Sequence, residues 1–507
     1  MNLMMLLEMA AEGFGSRVAI GPREDGITYR QLYELAGSAS RRLRDAGVQH
    51  VAMADVSSEA LPITLFGAAW AGLPFVPLNY RLTDEELAAL ASRVAPAVTV
   101  LDPEAPDRLE GVSGAGPISR QDLLAGLKSE SAPEPDWEQS GDSAAILLFT
   151  SGTTGRPKAA VLRHRHLVSY VLGSVEFMGA DEEETALVSV PPYHIAGMAA
   201  ILSNVYAGRR IVQLPTFEAA AWVDVVRRES VTSAMVVPTM LTRIVDHLDA
   251  EGSGGLGLPT LQALSYGGGK MPRPTIERAL GLLEHTSFVN AYGLTETSST
   301  VALLGPEDHR IALASDNPEV RSRLGSAGRP LPTIEVSIRN EDGAEMPAGE
   351  PGEIWVRGEQ VSGEYHGLSS QLADDGWFPT HDGGQLDAEG FLHVTGRIDD
   401  VIVKGGQNVS PGEIEEVLLG VPGVMDAAVI GLPDRQWGER IVAVVVPSIQ
   451  APPDAEELRN TVRGILRSNR TPDHVEFLDE LPYNETGKLL RRVLRTNLAH
   501  LGDGSTS

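Results

Sequence analysis

Up to about Pro238, short β-rich apolar runs alternate with longer amphipathic stretches, and this alternation constrains the fold more than any other feature. TYRQLYELAGSASRRLRDAG reads as a helix ended by Gly47, HVAMADV as a strand, LPITLFGAAWAG as a buried helix, PFVPLN as a strand, DEELAALASRV as a helix and AVTVL as a strand. Strands that alternate with helices predict parallel α/β architecture. A second series, ETALVSV, RRIVQL, SAMVVP, ALSYG and SFVNAYG, continues it. From about Gly325 to Thr395 the pattern changes to short strands and turns, IEVSIRNEDGAEMPAGEPGEIWVRG, as in antiparallel hairpins. After Asp399 comes a mixed tail with strands VIVKGG, AAVIGLP and RIVAVVVP and helices PGEIEEVLLG and AEELRNTVRGILRSN. The expected fold class is α/β: a large unit over 1–396 of parallel α/β subdomains plus a small β-barrel-like one, a hinge at 397–400, and a small mobile α+β domain over 401–507. The polar run SESAPEPDWEQSGD, Ser129 to Asp142, reads as a surface connection.

A chain of 507 residues allows several cores of normal size. Its formal net charge of -28 disfavours an extended nucleic-acid or anionic-membrane surface, because phosphate contacts need clustered Lys and Arg. Any anionic ligand must be held by a local patch. The absence of cysteine excludes disulfides, thiolate metal sites and a cysteine nucleophile. The start, MNLMMLLEMAAEGFG, has no basic segment and carries Glu8 and Glu12 within its apolar run, so it reads as an amphipathic helix rather than a signal peptide. No stretch reaches about 18 uninterrupted apolar residues, so no membrane span is expected, and the balance favours a cytoplasmic protein.

The segment LLFTSGTTGRPKAAVLRHRH begins as an apolar strand and breaks into a small-residue loop. It has Gly152, Gly155 and Lys158 but not P-loop spacing, and Ala159 stands where a magnesium-binding hydroxyl would be. Its glycines let backbone N–H groups converge on an anion, and Thr150, Ser151, Thr153 and Thr154 add donors. SYGGGK and NAYGLTET also follow apolar strands, and open α/β sheets bind ligands beyond the carboxyl ends of strands. Glu296 there is a hard oxygen donor fit for magnesium and Thr295 a partner for phosphate. In DDGWFPTHDGG, Asp382 falls in a Gly-rich turn where a carboxylate could accept from two ribose hydroxyls. Taken singly, Asp382, Arg397 and Lys488 would each be ordinary surface charges.

Together, TSGTTGRPK, PPYHIAG, YGLTET, GEIWVRG, GWFPTHD, GRIDDVIVKGGQNVSPGEIE and ETGK occur in the order seen in the adenylate-forming superfamily of acyl- and aryl-CoA synthetases, peptide-synthetase adenylation domains and firefly luciferase. The resemblance runs from about residue 10 to about residue 497. It implies an ATP-dependent acid–thiol ligase that makes acyl-AMP and pyrophosphate and then passes the acyl group to a thiol, with Mg2+ as cofactor and CoA as cosubstrate. By the same resemblance Thr150, Ser151, Thr153, Thr154 and Lys158 would hold the β- and γ-phosphates, within the loop of Gly152 and Gly155. Gly267, Gly268 and Gly269 would line the adenine, and Tyr292, in the run Asn290, Ala291, Tyr292 and Gly293, would stack on the base. Thr295 would meet the α-phosphate, Glu296 the magnesium, and Asp382 and Arg397 the ribose. Lys488 would reach the α-phosphate and the substrate carboxylate. Rotation about Asp399 would then withdraw it and present Lys404, Gly405 and Gly406 to the thiol, with Gly406 beside the pantetheine tunnel. His194 would gate the carboxylate pocket, the acyl pocket would draw on IAGMAAILSN and on Tyr266, and the small residues Ala196, Gly197, Ala199 and Ala200 would leave room for an apolar acid.

The chain departs from the commonest family pattern in four places. AAVLRH, with Ala159 and Ala160, replaces a Gly-Val start and Thr-His end; His381 stands where Gly is usual; EYHG replaces Gly-Tyr-aromatic-Asn; and PYNETGK lacks the usual Arg. The implied partners are a small carboxylic acid, ATP or AMP, and CoA, with no nucleic acid; a homodimer is compatible with them. Long-chain acyl-AMP ligases that lack CoA activity usually carry an insertion before the hinge, and the compact run from GEIWVRG to GRIDD favours CoA; a carrier-protein thiol is the alternative acceptor. A ligase competent mainly for thioester formation from acyl-AMP remains open, and intact Glu296 and Lys488 argue against a non-catalytic scaffold.

Overall fold

The computed structural model describes residues 1–127, 135–150, 157–252, 257–448, 452–466, 468–484 and 489–502. The first α/β series forms a six-stranded sheet in the order Pro117–Ser119, Ala97–Leu101, His50–Ala54, Phe75–Pro77, Ala144–Thr150, Lys158–Arg163. All neighbours are parallel except the last pair. The predicted helices form at Tyr29–Asp45 and Ala60–Ala71. Thr28 starts the first with a capping box to Gln31, satisfying two backbone donors at once. The second is apolar all round because it is buried all round, and Gly67 lets it approach the first: a Cβ there would lie 2.7 Å from that of Ala39.

The second series builds a nine-stranded sheet. Its central strands, Val18–Ile20, Arg210–Gln213, Thr185–Val188, Ser233–Val236, Ala263–Gly267 and Ser287–Leu294, run parallel. Antiparallel strands flank them, Ile27–Thr28 at one edge and, on the other side, Ser299–Leu304 followed by the edge strand Arg329–Pro330. The β-rich stretch folds as a four-stranded antiparallel sheet, Glu335–Arg339, Gly352–Arg357, Phe378–Leu386 and Leu392–Arg397. In the tail, strand Val424–Asp434 alternates its side chains: Ala427 and Val429 join a core with helices Pro411–Leu419 and Ala455–Leu466. Ala428 and Ile430 join another core with Leu494 of helix Arg491–Asn497.

The expected surface connection is corrected over its second half. Trp137 is buried, edge-on to Trp70 at 5.0 Å, while Asp136 accepts from Trp70 Nε1 at 2.8 Å and pairs with Arg44 at 2.7 Å. One indole buries enough apolar area to pin an otherwise polar run. Residues 129–134 lie outside those described. No helix among the described residues is long and apolar enough to cross a membrane.

Candidate active site

The TSGTTGRPK motif falls between two described strands. Thr150 ends Ala144–Thr150 and pairs across an antiparallel hairpin with Lys158, which starts Lys158–Arg163; the next helix begins only at His164. Ser151, Gly152, Thr153, Thr154 and Gly155 lie outside the described residues, as does Lys488. The departing residues Ala159 and Ala160 are buried in the second strand. There Ala159 O accepts from His366 N at 2.8 Å, Val161 N donates to Glu364 O at 2.9 Å, and Ala160 bridges to Tyr365. The Arg163 guanidinium closes on the Glu364 carboxylate at 2.6 Å and holds it below the usual carboxylate range. The EYHG segment is thereby laid against the strand that carries Lys158.

This packing brings in a residue the sequence reading missed. The Tyr365 hydroxyl donates to Glu296 Oε1, and its ring lies 5.4 Å from the Lys158 ammonium. Burial, and then the Glu296 charge, push the phenol above its ordinary pKa, so it stays a donor. The only signal in the sequence was an aromatic residue inside a departing motif. Glu296 itself sits in a tight 3-10 turn, Thr295–Thr297, directly after strand Ser287–Leu294. Magnesium is commonly held by one or two carboxylates together with phosphate oxygens and water. A single buried carboxylate steadied by a phenol fits that demand. Among the described residues no group of three or more His, Cys, Asp and Glu is placed to hold a metal alone.

Asp382 lies within strand Phe378–Leu386, which corrects the expected turn. It is buried, and Tyr292 Oη donates to its Oδ2 at 2.7 Å while Arg397 Nη1 donates to Oδ1 at 3.2 Å and to Thr380 O at 2.9 Å. Burial, followed by the Asp382 charge, pushes the Tyr292 phenol well up. An ionised carboxylate offers about four acceptor positions, so two remain for ribose hydroxyls after these bonds. Tyr292 is a strand residue, not a loop residue; Asn290 Nδ2 donates to Ser326 O at 2.8 Å and Ala291 pairs with Gly267. A Cβ on Gly267 would enter the van der Waals shell of Ala291 O, and one on Gly293 that of Ser299 O, so close strand packing demands both glycines. Gly268, at φ +84°, and Gly269 are exposed just beyond.

His194 caps helix Ile195–Ala207, with its ring 4.7 Å from Tyr193, which meets Tyr80 edge-on at 5.5 Å. Burial lowers its imidazole to about 4, so it is neutral near pH 7. The expected place of Tyr266 in the acyl pocket is corrected: it is fully buried in the core of the nine-stranded sheet, with Oη 2.8 Å from His309 Nε2. His309 Nδ1 lies 2.7 Å from Gly305 O, which can only accept, so Nδ1 carries the proton and Nε2 accepts from Tyr266. Gly197 is likewise a packing residue, since a Cβ would sit 2.6 Å from Pro191 O; Ala199 is buried, and Ala196 and Ala200 are half-buried.

A cleft of about 590 Å³ opens between Tyr80, Pro191, Met240 and Arg243 on one side and Asp479 and Tyr483 of the terminal unit on the other. Lys270 spans the two units, donating to Gly412 O at 3.1 Å and lying 3.5 Å from Glu416. Within the terminal unit Lys404 pairs with Asp473 at 2.6 Å. Gly405 and Gly406 adopt φ +59° and +77°, with Gly405 N donating to Trp437 O at 2.7 Å. Asp399 is exposed in the turn Ile398–Asp400. Asp400, not anticipated, ties that turn to the last helix through Arg495 at 3.0 Å and Arg491 at 3.7 Å.

Comparison with known proteins agrees over almost the whole chain. The description "AMP-binding enzyme" matches residues 7–366, and "AMP-binding enzyme C-terminal domain" matches residues 413–488. A fatty acid–[acyl-carrier-protein] ligase of Streptomyces coeruleorubidus is 33% identical over 488 residues, covering 92% of this chain and 91% of that protein. A feruloyl-CoA synthase of an Amycolatopsis species is 34% identical over 477 residues, covering 92% and 93%. The ATP-bound crystal structure of MatB from Rhodopseudomonas palustris matches with a TM-score of 0.86 at 28% identity, covering 99% of this chain and 100% of that one. The chain belongs to the AMP-binding enzyme family and is an AMP-forming acid–thiol ligase.

Proposed function

We propose that the protein activates an apolar carboxylic acid, fatty, aryl or polycyclic, as its acyl-adenylate and transfers the acyl group to CoA. The observation that carries this reading is the convergence of Tyr292 and Arg397 on the Asp382 carboxylate, with acceptor capacity left for a ribose. In the first step a carboxylate oxygen attacks the α-phosphorus of ATP, the bond to the β-phosphate breaks, and pyrophosphate leaves. Asp382 and Arg397 hold the ribose, Thr295 the α-phosphate, and Lys158 with the Thr150–Gly155 loop the departing phosphates. Lys488 offsets charge on both reactants as they approach. Magnesium, when bound at Glu296, neutralises phosphate charge. In the second step a thiolate attacks the acyl carbon and AMP leaves with the carbon–oxygen bonding pair. Positioning and charge neutralisation supply most of the rate in such displacements. Neutral His194 places no cation in the carboxylate pocket, which suits an uncharged acyl chain.

The likeness to a carrier-protein ligase supports a second reading in which the acceptor is a carrier-protein thiol. A third, thioester formation mainly from supplied acyl-AMP, follows from Ala159, Ala160 and His381. Mass spectrometry of products from a panel of fatty, aryl and polycyclic acids with ATP, magnesium and CoA, run beside pre-made acyl-adenylates, separates the three. A thioester from acid plus ATP supports the full ligase, and one from acyl-adenylate alone supports the half-reaction enzyme. AMP release without acyl-CoA overturns the CoA reading.

A further inference from the structure

We propose that Glu353 and His381 form a positioning pair that sets the aim of Asp382, and the inference rests on Asp382 being the ribose ligand. Across the sheet Trp355 pairs with Pro379 and Glu353 with Gly383. Thr380, His381 and Asp382 therefore stand opposite the single residue Ile354, as an extended bulge. Bulges re-aim side chains and cluster beside active sites. His381 is at the apex with φ +57°, a left-handed conformation that strains any residue bearing a Cβ. A glycine would occupy it freely.

The neighbouring strand offsets this strain. Glu353 Oε1 accepts from the His381 backbone N–H at 3.2 Å and lies 3.3 Å from its ring Nδ1. Glu353 Oε2 accepts from Trp355 Nε1 at 3.0 Å, which fixes the carboxylate. The Trp355 ring in turn faces Arg339 at 4.6 Å, and Arg339 faces Trp377 at 4.7 Å. The chain entering the bulge is thus held at Trp377 and again at His381, both from the strands Glu335–Arg339 and Gly352–Arg357. The His381 side chain is 57% exposed, so its ring contact with Glu353 is screened by water and the backbone bond does most of the holding. On the other flank Thr380 Oγ1 donates to Ile354 O at 2.7 Å and accepts from Asp382 N at 3.1 Å. Glu353 and Thr380 together leave Asp382 one direction in which to point, toward Tyr292 and Arg397.

The test is a double-mutant cycle read by calorimetric binding of AMP and, separately, of inorganic pyrophosphate to the full chain. Glu353→Ala should weaken AMP about tenfold, the scale of left-handed strain left without its partner, and leave pyrophosphate unchanged. Glu353→Gln, which keeps an oxygen acceptor, should stay within about threefold of the wild type. Adding His381→Gly to Glu353→Ala should restore AMP binding, because glycine needs no clasp. The proposal is overturned if Glu353→Ala binds AMP as the wild type does, if the loss persists in the double variant, or if pyrophosphate weakens equally. Should Glu353→Ala unfold, a folded double variant that binds AMP supports the pair, and an unfolded one overturns it. A wild-type protein that binds neither AMP nor ATP would overturn the ribose assignment and the proposed function with it, whereas AMP binding without coupling defeats the pair alone.

Discussion

The Tyr365 hydroxyl donates to the Glu296 carboxylate across 69 residues of sequence. A hydrogen bond to a charged group contributes about 1.5–3 kcal/mol, and here it orients the one carboxylate proposed to meet magnesium. Tyr365→Phe should therefore lower the adenylation rate by tenfold or more and raise the magnesium concentration needed for half-maximal rate. Steady-state pyrophosphate release over a magnesium titration checks both effects. An unchanged magnesium dependence would remove Tyr365 from the site.

Close packing of Gly267 against Ala291 O makes a second prediction. Gly267→Ala forces two parallel strands apart at backbone atoms that cannot yield, an overpacking that costs about 1–3 kcal/mol. Thermal or urea unfolding should show that loss without nucleotide present. A variant as stable as the wild type but defective in ATP binding would return Gly267 to a purely adenine-lining role.

Two buried imidazoles predict an acid-labile fold. His164 Nδ1 accepts from Leu3 N at 3.2 Å and His166 Nδ1 from Arg163 N at 3.3 Å, and burial lowers each to about 4. Their folded pKa lies below the unfolded value of about 6.5, so the unfolded chain binds protons first. Their stabilisation is fully present above pH about 6.5 and lost as pH falls toward 4, by about 1.4 kcal/mol per unit for each ring. His166→Asn keeps an acceptor for Arg163 N and removes one titration. The difference in unfolding free energy between this variant and the wild type should shrink by that slope below pH about 6.5. A constant difference from pH 7 to 5 would contradict the assignment.

Lys488 is proposed to act in one half-reaction only. Lys488→Ala should abolish acyl-AMP formation from acid and ATP while sparing thioester formation from supplied acyl-AMP, each followed by mass spectrometry. Equal loss of both would sink the role given to it.

The alternation of strands and helices, the change to hairpins after Gly325 and the mixed tail were all legible before any coordinates, because periodicity and capping act within a few residues. The motifs that carry Glu296, Asp382, Arg397 and Lys488 were legible through their order along the chain and the resemblance it implies, since each charge taken singly reads as ordinary surface. Tyr365 could not be read as a partner of Glu296, nor Tyr266 as a core residue bonded to His309, nor Trp137 as an anchor in a polar run. Each depends on which distant segment lies alongside: Tyr292 and Asp382 meet across 90 residues, and Tyr266 and His309 across 43. Local preference determined the elements and the chemistry available to them. Only tertiary packing decided which of those groups share a site, because that depends on sheet order and on contacts between residues far apart in the chain.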